Sequence, residues 1–140
     1  MFQKPVVAFD GSEASKMALA VGIGLAKLYS VELHLVSIEE ELPPYAVAKV
    51  EREKALRYFH RLHQDARNEA GRQGVVLHAT ILRGHEVEAV VTFIKEQACD
   101  LLIIGPVGHS SLFERVLGGT AQTLTRVAPC SVLVVKYREQ

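Results

Sequence analysis

The stretch LLIIGPVGHSSLFERVLGGT, residues 101–120, places a glycine-rich segment directly after a short apolar run. The run is typical of a buried strand, and the glycines follow where the chain would pass to a helix. Backbone N–H groups at such a helix N-terminus can hold a phosphate in an open α/β sheet. The spacing Gly105-x2-Gly108-x9-Gly118-Gly119-Thr120 is not a Walker loop, because no Gly-Lys-Ser/Thr occurs. The segment is therefore either a nucleotide-binding loop or a flexible crossover.

Outward from this stretch, apolar runs alternate with helical patterns along the whole chain. The predicted strands are 5–9, 31–38, 75–82, 101–104 and 131–136. The first predicted helix follows Ser12 as its cap, with the apolar stripe Ala14, Ala18, Val21, Leu25 and Leu28. The second predicted helix ends at Gly71 and Gly74, and the third spans 85–98. One face of the second helix carries Ala55, Phe59, Leu62, Ala66 and Ala70. The fourth helix carries Leu117, Ala121, Leu124 and Ala128. Strict alternation predicts a single doubly wound α/β domain over residues 1–140, with a five-stranded parallel sheet.

Composition excludes several classes of function. Sixteen Lys and Arg residues balance sixteen Asp and Glu residues, so the net charge gives no indication of nucleic-acid binding. No segment reaches the roughly 18 apolar residues of a membrane span, and the N-terminal segment lacks the shape of a signal peptide. The two cysteines, Cys99 and Cys130, form no metal-like pair. We expect a cytoplasmic protein in a reducing compartment.

Candidate site residues lie at two predicted strand ends. Asp10 follows the first strand and could accept hydrogen bonds from a base amine or a ribose hydroxyl, although an Asx turn within Asp10-Gly11-Ser12 is the commoner use of such a residue. The long crossover after the fourth strand is of a length that is usually functional. Arg115 within it could reach a phosphate or could be a surface residue.

Other polar residues give weaker signals. His60 and His63 have a spacing compatible with two metal ligands, but no third ligand accompanies them and a solvated helix face is expected. His34 and His78 are expected to be packing residues within strands, and Cys130 a small buried residue. No Ser-His-Asp arrangement or G-x-S-x-G elbow occurs, so the sequence offers no evident catalytic machinery.

Three segments resemble the universal stress protein family: VVAFDGSEAS at 6–15, GHEVEAVVTFIKEQACDLLIIGPVG at 84–108 and LGGTAQTLTRVAPCSVLVVK at 117–136. The glycine spacing is similar to that of ATP-binding members. The resemblance implies a sheet order of 3-2-1-4-5 with two helices on each face, and a homodimer through the fifth strand. It implies ATP as ligand, with Mg²⁺ or Mn²⁺ as a frequent companion.

The same resemblance assigns site residues. Asp10 would contact the adenine end, and Val36 would pair the base through its backbone. Gly105 and Gly108 would line the ribose and phosphates. Gly118, Gly119 and Thr120 would hold the phosphates, and Ala8 and His109 complete the candidate binding set.

Two departures from the family pattern bear on affinity. Gly119 stands where the family has Ser or Thr, so a hydroxyl donor is missing, and Pro106 has no N–H. Losing one charge-assisted hydrogen bond costs roughly 1.5–3 kcal/mol, which weakens a nucleotide site without abolishing it. The leading hypothesis is an ATP-binding regulatory protein of the stress response. The alternatives are a nucleotide-free interaction module and a slow ATPase.

Overall fold

The computed structural model describes residues 1–40, 49–106 and 117–136. Within these ranges the strands are β1 (Pro5–Ala8), β2 (Leu33–Glu40), β3 (Leu77–Gly84), β4 (Leu101–Ile104) and β5 (Ser131–Val134). The helices are α1 (Glu13–Tyr29), α2 (Lys49–Arg72), α3 (Glu86–Gln97) and α4 (Gly119–Val127). None of these helices is long and apolar enough to cross a membrane.

The five strands form one parallel sheet in the order β3-β2-β1-β4-β5, which confirms the predicted topology. The strand order switches direction between β1 and β4: β2 and β3 follow on one side of β1, and β4 and β5 on the other. In open α/β sheets a ligand binds in the crevice at this switch point, outside the carboxyl ends of the strands. The fold therefore brings the end of β1 and the end of β4 to the same crevice.

Alternate residues of the central strands pack on opposite faces of the sheet, as the two-residue period of a strand requires. Val7 and Ile103 belong to the core that α1 and α2 cover, whereas Val6 and Leu102 belong to the core that α3 and α4 cover. The prediction of two helices on each face is confirmed.

The stripe predicted for α1 is partly wrong. The buried residues of this helix include Ala18, Leu19, Ile23 and Ala26, whereas Leu28 is 72% exposed. The helix is apolar on several faces, so more than one stripe of helical period fits its sequence. Small residues decide the choice: a Cβ at Gly22 would lie 2.7 Å from Val7 Cγ2, so the glycine lets the helix approach the sheet.

β2 and β3 both begin two residues later than predicted, for one reason. Val31 and Val75 are apolar, but each donates its N–H to a carbonyl of the preceding helix, at Ala26 and Ala70. These are Schellman bonds, which satisfy the last carbonyls of a helix and place an apolar residue just beyond its end. The two valines therefore close α1 and α2 instead of starting strands.

Candidate functional site

A cavity of about 420 Å³ opens at the carboxyl ends of the strands. Six of the nine residues in the candidate set lie around it: Ala8, Asp10, Gly105, Gly118, Gly119 and Thr120. Gly108 and His109 lie outside the described residues, as does Arg115. The volume falls in the range of small-molecule sites, about 300–1,000 Å³. Sequence reasoning thus selected residues that the fold gathers around a single cavity.

Asp10 both lines the cavity and makes the local turn that the sequence left open as an alternative. Its Oδ1 accepts a hydrogen bond from the Ser12 N–H at 2.9 Å. Ser12 in turn caps α1, accepting from the Ser15 N–H at 3.2 Å, as expected. The Asx turn fixes the carboxylate of Asp10 at the end of β1, so the two uses of this residue are compatible.

Val36 is the candidate that the structure does not bring to the cavity. It is fully buried in the sheet, opposite Ala8 on β1 and Thr80 on β3, and its carbonyl accepts the Phe9 N–H at 2.9 Å. Pairing between β1 and β2 ends at this residue, and Ile38, two residues further, lines the cavity. The two-residue period of the strand puts Ile38 on the same side as Val36, which is the signal that could have identified it.

Gly105 is required for packing as well as for its place on the cavity wall. A Cβ at this position would lie 2.8 Å from Ala14 Cβ and 3.0 Å from the Ala14 backbone. Gly105 therefore lets the start of α1 approach the end of β4. Its presence in the sequence cannot be credited to phosphate binding alone.

The first residues of α4 line the cavity. Gly118 is the N-cap residue, and its own N–H donates to the Pro106 carbonyl at 2.7 Å. Its N–H is thus committed to the loop, in contrast to the expected phosphate contact. The N–H groups of Gly119 and Thr120 belong to the first turn and have no acceptor within the helix. Pro106 lacks an N–H but supplies the carbonyl that closes the crossover.

Three carboxylates also line the cavity: Asp10, Glu40 and Glu86. Burial, and then the charges of Asp10 and Glu40, raise the pKa of the Glu86 carboxyl. No Lys or Arg of the described residues lines the cavity. Sequence reasoning missed Glu40 and Glu86, although both stand where a strand ends or a helix begins. In the part of the chain that the structure describes, no group of three or more His, Cys, Asp or Glu could hold a metal ion.

Helix α2, which sequence reasoning treated as generic, supplies Tyr58 and Phe59 to the cavity wall. The expectation of a solvated face at His63 is wrong, because this residue is only 2% exposed. Its Nε2 lies 2.7 Å from Ser37 Oγ, and Ser37 Oγ donates to the Phe9 carbonyl at 2.5 Å. Ser37 Oγ has one hydrogen and donates it to the Phe9 carbonyl. The imidazole of His63 must therefore donate to Ser37 Oγ through Nε2–H. Burial lowers the pKa of His63 to about 4.

His34, His78 and the two cysteines are not among the residues that line the cavity. His34 is half-buried and stacks on His78, with 5.1 Å between ring centroids. His78 is exposed and pairs with Glu32 at 2.9 Å, so it is a surface residue and not a packing residue. Cys99 is buried and Cys130 partly buried, and burial raises the pKa of both thiols, to about 11 for Cys99. A raised thiol pKa leaves little thiolate, so neither cysteine is an activated nucleophile.

Comparison with known proteins identifies the family to which this arrangement belongs. The model of the universal stress protein family matches residues 1–136. The chain belongs to the universal stress protein family. Universal stress protein YxiE of Bacillus subtilis is 26% identical over 97% of this chain and the whole of that protein.

Solved structures of family members have the same fold. Universal stress protein UspA from Lactobacillus plantarum superposes with a TM-score of 0.85 at 19% identity, over 96% of this chain and 98% of that one. A universal stress protein solved in complex with cAMP superposes with a TM-score of 0.78 at 24% identity, over 98% of this chain and 99% of that one. At these identities the likeness establishes the fold, while function must be argued from the site.

Proposed function

We propose that this universal stress protein binds an adenine nucleotide, ATP in the first place, and that occupancy of the cavity controls its conformation or its choice of partner in a stress response. One observation carries the proposal: the first residues of α4 and three carboxylates line the same cavity. Helix N-terminal N–H groups suit phosphates. Carboxylates accept hydrogen bonds from ribose hydroxyls and from the adenine amine.

The proposed pose runs from Asp10 and Glu86 at the nucleoside end to Gly119 and Thr120 at the phosphate end. Ile38 and Ile104 also line the cavity, and their apolar side chains would contact the base or the sugar. With no basic residue among the described lining, a triphosphate would carry its charge into the cavity largely uncompensated. Mg²⁺ or Mn²⁺ would neutralise it, held mainly by the phosphates with one carboxylate, which is how Mg²⁺ is commonly bound with nucleotides.

The proposal also covers the class of ligand, the cellular location and the pairing of protomers. A universal stress protein of the same fold was solved with cAMP, another adenine nucleotide, which supports this ligand class. We place the protein in the cytoplasm, as one domain over residues 1–140 that pairs through β5.

The test is mass spectrometry of small molecules released from purified protein, followed by calorimetry with ATP and Mg²⁺. We expect an adenine nucleotide or a measurable Kd, and weaker binding in Asp10→Ala. Absence of any adenine nucleotide from the purified protein, together with no heat of binding at millimolar ATP, would rule the function out.

A nucleotide-free interaction module is the second candidate. The commitment of the Gly118 N–H to Pro106 and the three carboxylates favour it, because both reduce the attraction for phosphate. The same calorimetry separates the two: the module predicts no heat with ATP while partner binding persists. A slow ATPase has no such support, since no Lys or Arg of the described residues lines the cavity to stabilise a transferred phosphoryl group.

A further inference from the structure

Helix α2 reaches the cavity through residues in its middle rather than through its first turn. Tyr58 and Phe59 line the cavity from this helix, with 5.8 Å between their ring centroids and 52° between their planes. Tyr58 is 43% exposed although it contacts the cavity. A large aromatic side chain left half open beside a cavity has an uncovered ring surface that a planar ligand can occupy.

The position of Tyr58 relates it to the nucleoside end of the cavity. A Cβ built on Gly11 would lie 2.8 Å from Tyr58 Oη and 2.7 Å from Leu62 Cδ1, so α2 packs directly on the turn that follows β1. Gly11 has φ +84°, a conformation that glycine adopts at little cost. The turn that carries Asp10 therefore lies against the aromatic residues of α2.

A buried hydrogen-bond chain holds this part of α2 against the sheet. His63, one turn after Phe59 with 6.5 Å between ring centroids, donates to Ser37 on β2, and Ser37 donates to the Phe9 carbonyl. Both side chains are almost fully buried, so the chain is not exchanged for water. The aromatic pair is thereby fixed relative to the end of β1.

We propose that Tyr58 and Phe59 form an aromatic wall on which the base of the bound nucleotide stacks, facing the apolar residues at the ends of β1 and β2. The inference rests on the proposed function and adds to it the group that recognises the base. Stacking on an aromatic ring contributes about 1–3 kcal/mol per base and tolerates different bases, because every base has a π-face. The wall therefore selects for a nucleobase, and hydrogen bonds at Asp10 would select among bases.

The experiment compares ligands with and without a base. Kd values for ATP with Mg²⁺, for adenosine and for inorganic tripolyphosphate are measured by calorimetry on the wild type and on Tyr58→Ala, Tyr58→Phe and Phe59→Leu. We expect Tyr58→Ala to weaken ATP and adenosine by the same factor, at least about fivefold. Tripolyphosphate should keep its wild-type affinity for Tyr58→Ala. Tyr58→Phe, which keeps the ring, should recover most of the loss.

Two controls keep the result interpretable. Tyr29→Ala removes another tyrosine ring, which packs on Phe2 away from the cavity, and should leave all three affinities unchanged. Circular dichroism and thermal unfolding check that Tyr58→Ala is folded. Phe59→Leu, which keeps an apolar side chain in the helix, tests the wall independently if the alanine variant is unstable.

The possible outcomes separate this inference from the proposed function. Wild-type binding of ATP and adenosine that persists undiminished in Tyr58→Ala and in Phe59→Leu overturns the aromatic wall and leaves the nucleotide function standing. Equal losses for tripolyphosphate and adenosine also overturn it, since they indicate general disruption of the cavity. A wild type that binds neither ATP nor adenosine refutes both proposals together.

Discussion

At the scale of single residues, His63 links core stability to protonation. Its side chain is 2% exposed in α2. The Nε2–H that Ser37 accepts is present in both the neutral and the protonated imidazole, so burial and not this hydrogen bond disfavours the charge. Burial is the main reason for its lowered pKa, and the nearby charges of Arg67 and His60 act in the same direction. The charged form is disfavoured because an ion loses its hydration in such a site.

This burial makes the free energy of unfolding depend on pH. The pKa of His63 is about 4 in the folded protein and near 6.5 when unfolded, so the unfolded chain binds more protons between these values. The stabilisation is complete above pH 6.5 and is lost as the pH falls toward 4. We expect the titration of His63 alone to lower the free energy of unfolding by roughly 2 kcal/mol between pH 7 and pH 4.5. Urea unfolding at the two pH values measures it.

Two glutamine variants isolate the histidine. His63→Gln keeps an N–H donor for Ser37 but does not titrate, so its unfolding free energy should fall less on acidification than that of the wild type. His60→Gln, on the exposed side of the same helix, should keep most of the wild-type pH dependence, because His60 is the smallest of the three causes of the lowered pKa of His63. Equal pH dependence in all three proteins would contradict this account of His63.

At the scale of elements, the N-terminus of α4 gives the sharpest test of phosphate binding. Gly118 has φ −64° and ψ 160°, the extended conformation preferred before proline, and Gly119 is the first residue of the helix, where proline fits. Among the residues that the structure describes, a Cβ on Gly119 would meet no atom within 4 Å. Gly119→Pro therefore removes one N–H from the cavity while keeping the helix.

We expect Gly119→Pro to weaken ATP by about tenfold or more, which is the cost of one hydrogen bond to a charged group, with little change in thermal stability. Gly119→Ala, which keeps the N–H, is the matched control and should bind as the wild type does. Calorimetry gives both affinities. If the alanine variant loses as much affinity as the proline variant, side-chain bulk and not the amide is responsible.

The same elements show how far sequence reasoning reaches. Strict alternation of apolar runs and helical stripes was sufficient to predict a doubly wound parallel sheet with helices on both faces. The strand order 3-2-1-4-5 was expected from the family resemblance. The predicted starts of β2 and β3 were wrong because Val31 and Val75 close the preceding helices. The inward face of α1 was misjudged because small residues, which carry little hydropathy, choose the face that packs most closely.

The site was predictable where its residues lie in a local motif. Asp10 and the Gly118-Gly119-Thr120 segment follow strands or begin a helix, so their place at the crevice follows from chain order. Tyr58 and Phe59 reach the cavity through the tertiary packing of α2. Nothing in their sequence neighbourhood records which turn of α2 meets the end of β1, so the sequence alone could not find them.

At the scale of the whole molecule, the sheet order leaves two edge strands, β3 and β5. β5 is short, and its residues Val132, Leu133 and Val134 are only half-buried against β4 and the helices. An edge strand with unpaired N–H and C=O groups is a template for another chain. This geometry suits the homodimer through β5 that we propose.

Backbone register on β5 indicates how to break that dimer without unfolding the protomer. Val135 donates its N–H to Ile104 on β4 at 2.8 Å, so alternate amides along β5, including that of Val134, point away from β4. Proline is tolerated on an edge strand where the N–H faces outward. We expect Val134→Pro to be a folded monomer, and Val134→Thr, which keeps the N–H and the branched side chain, to remain a dimer. Sedimentation velocity measures both, and a dimeric Val134→Pro or a monomeric wild type would show that β5 is not the interface.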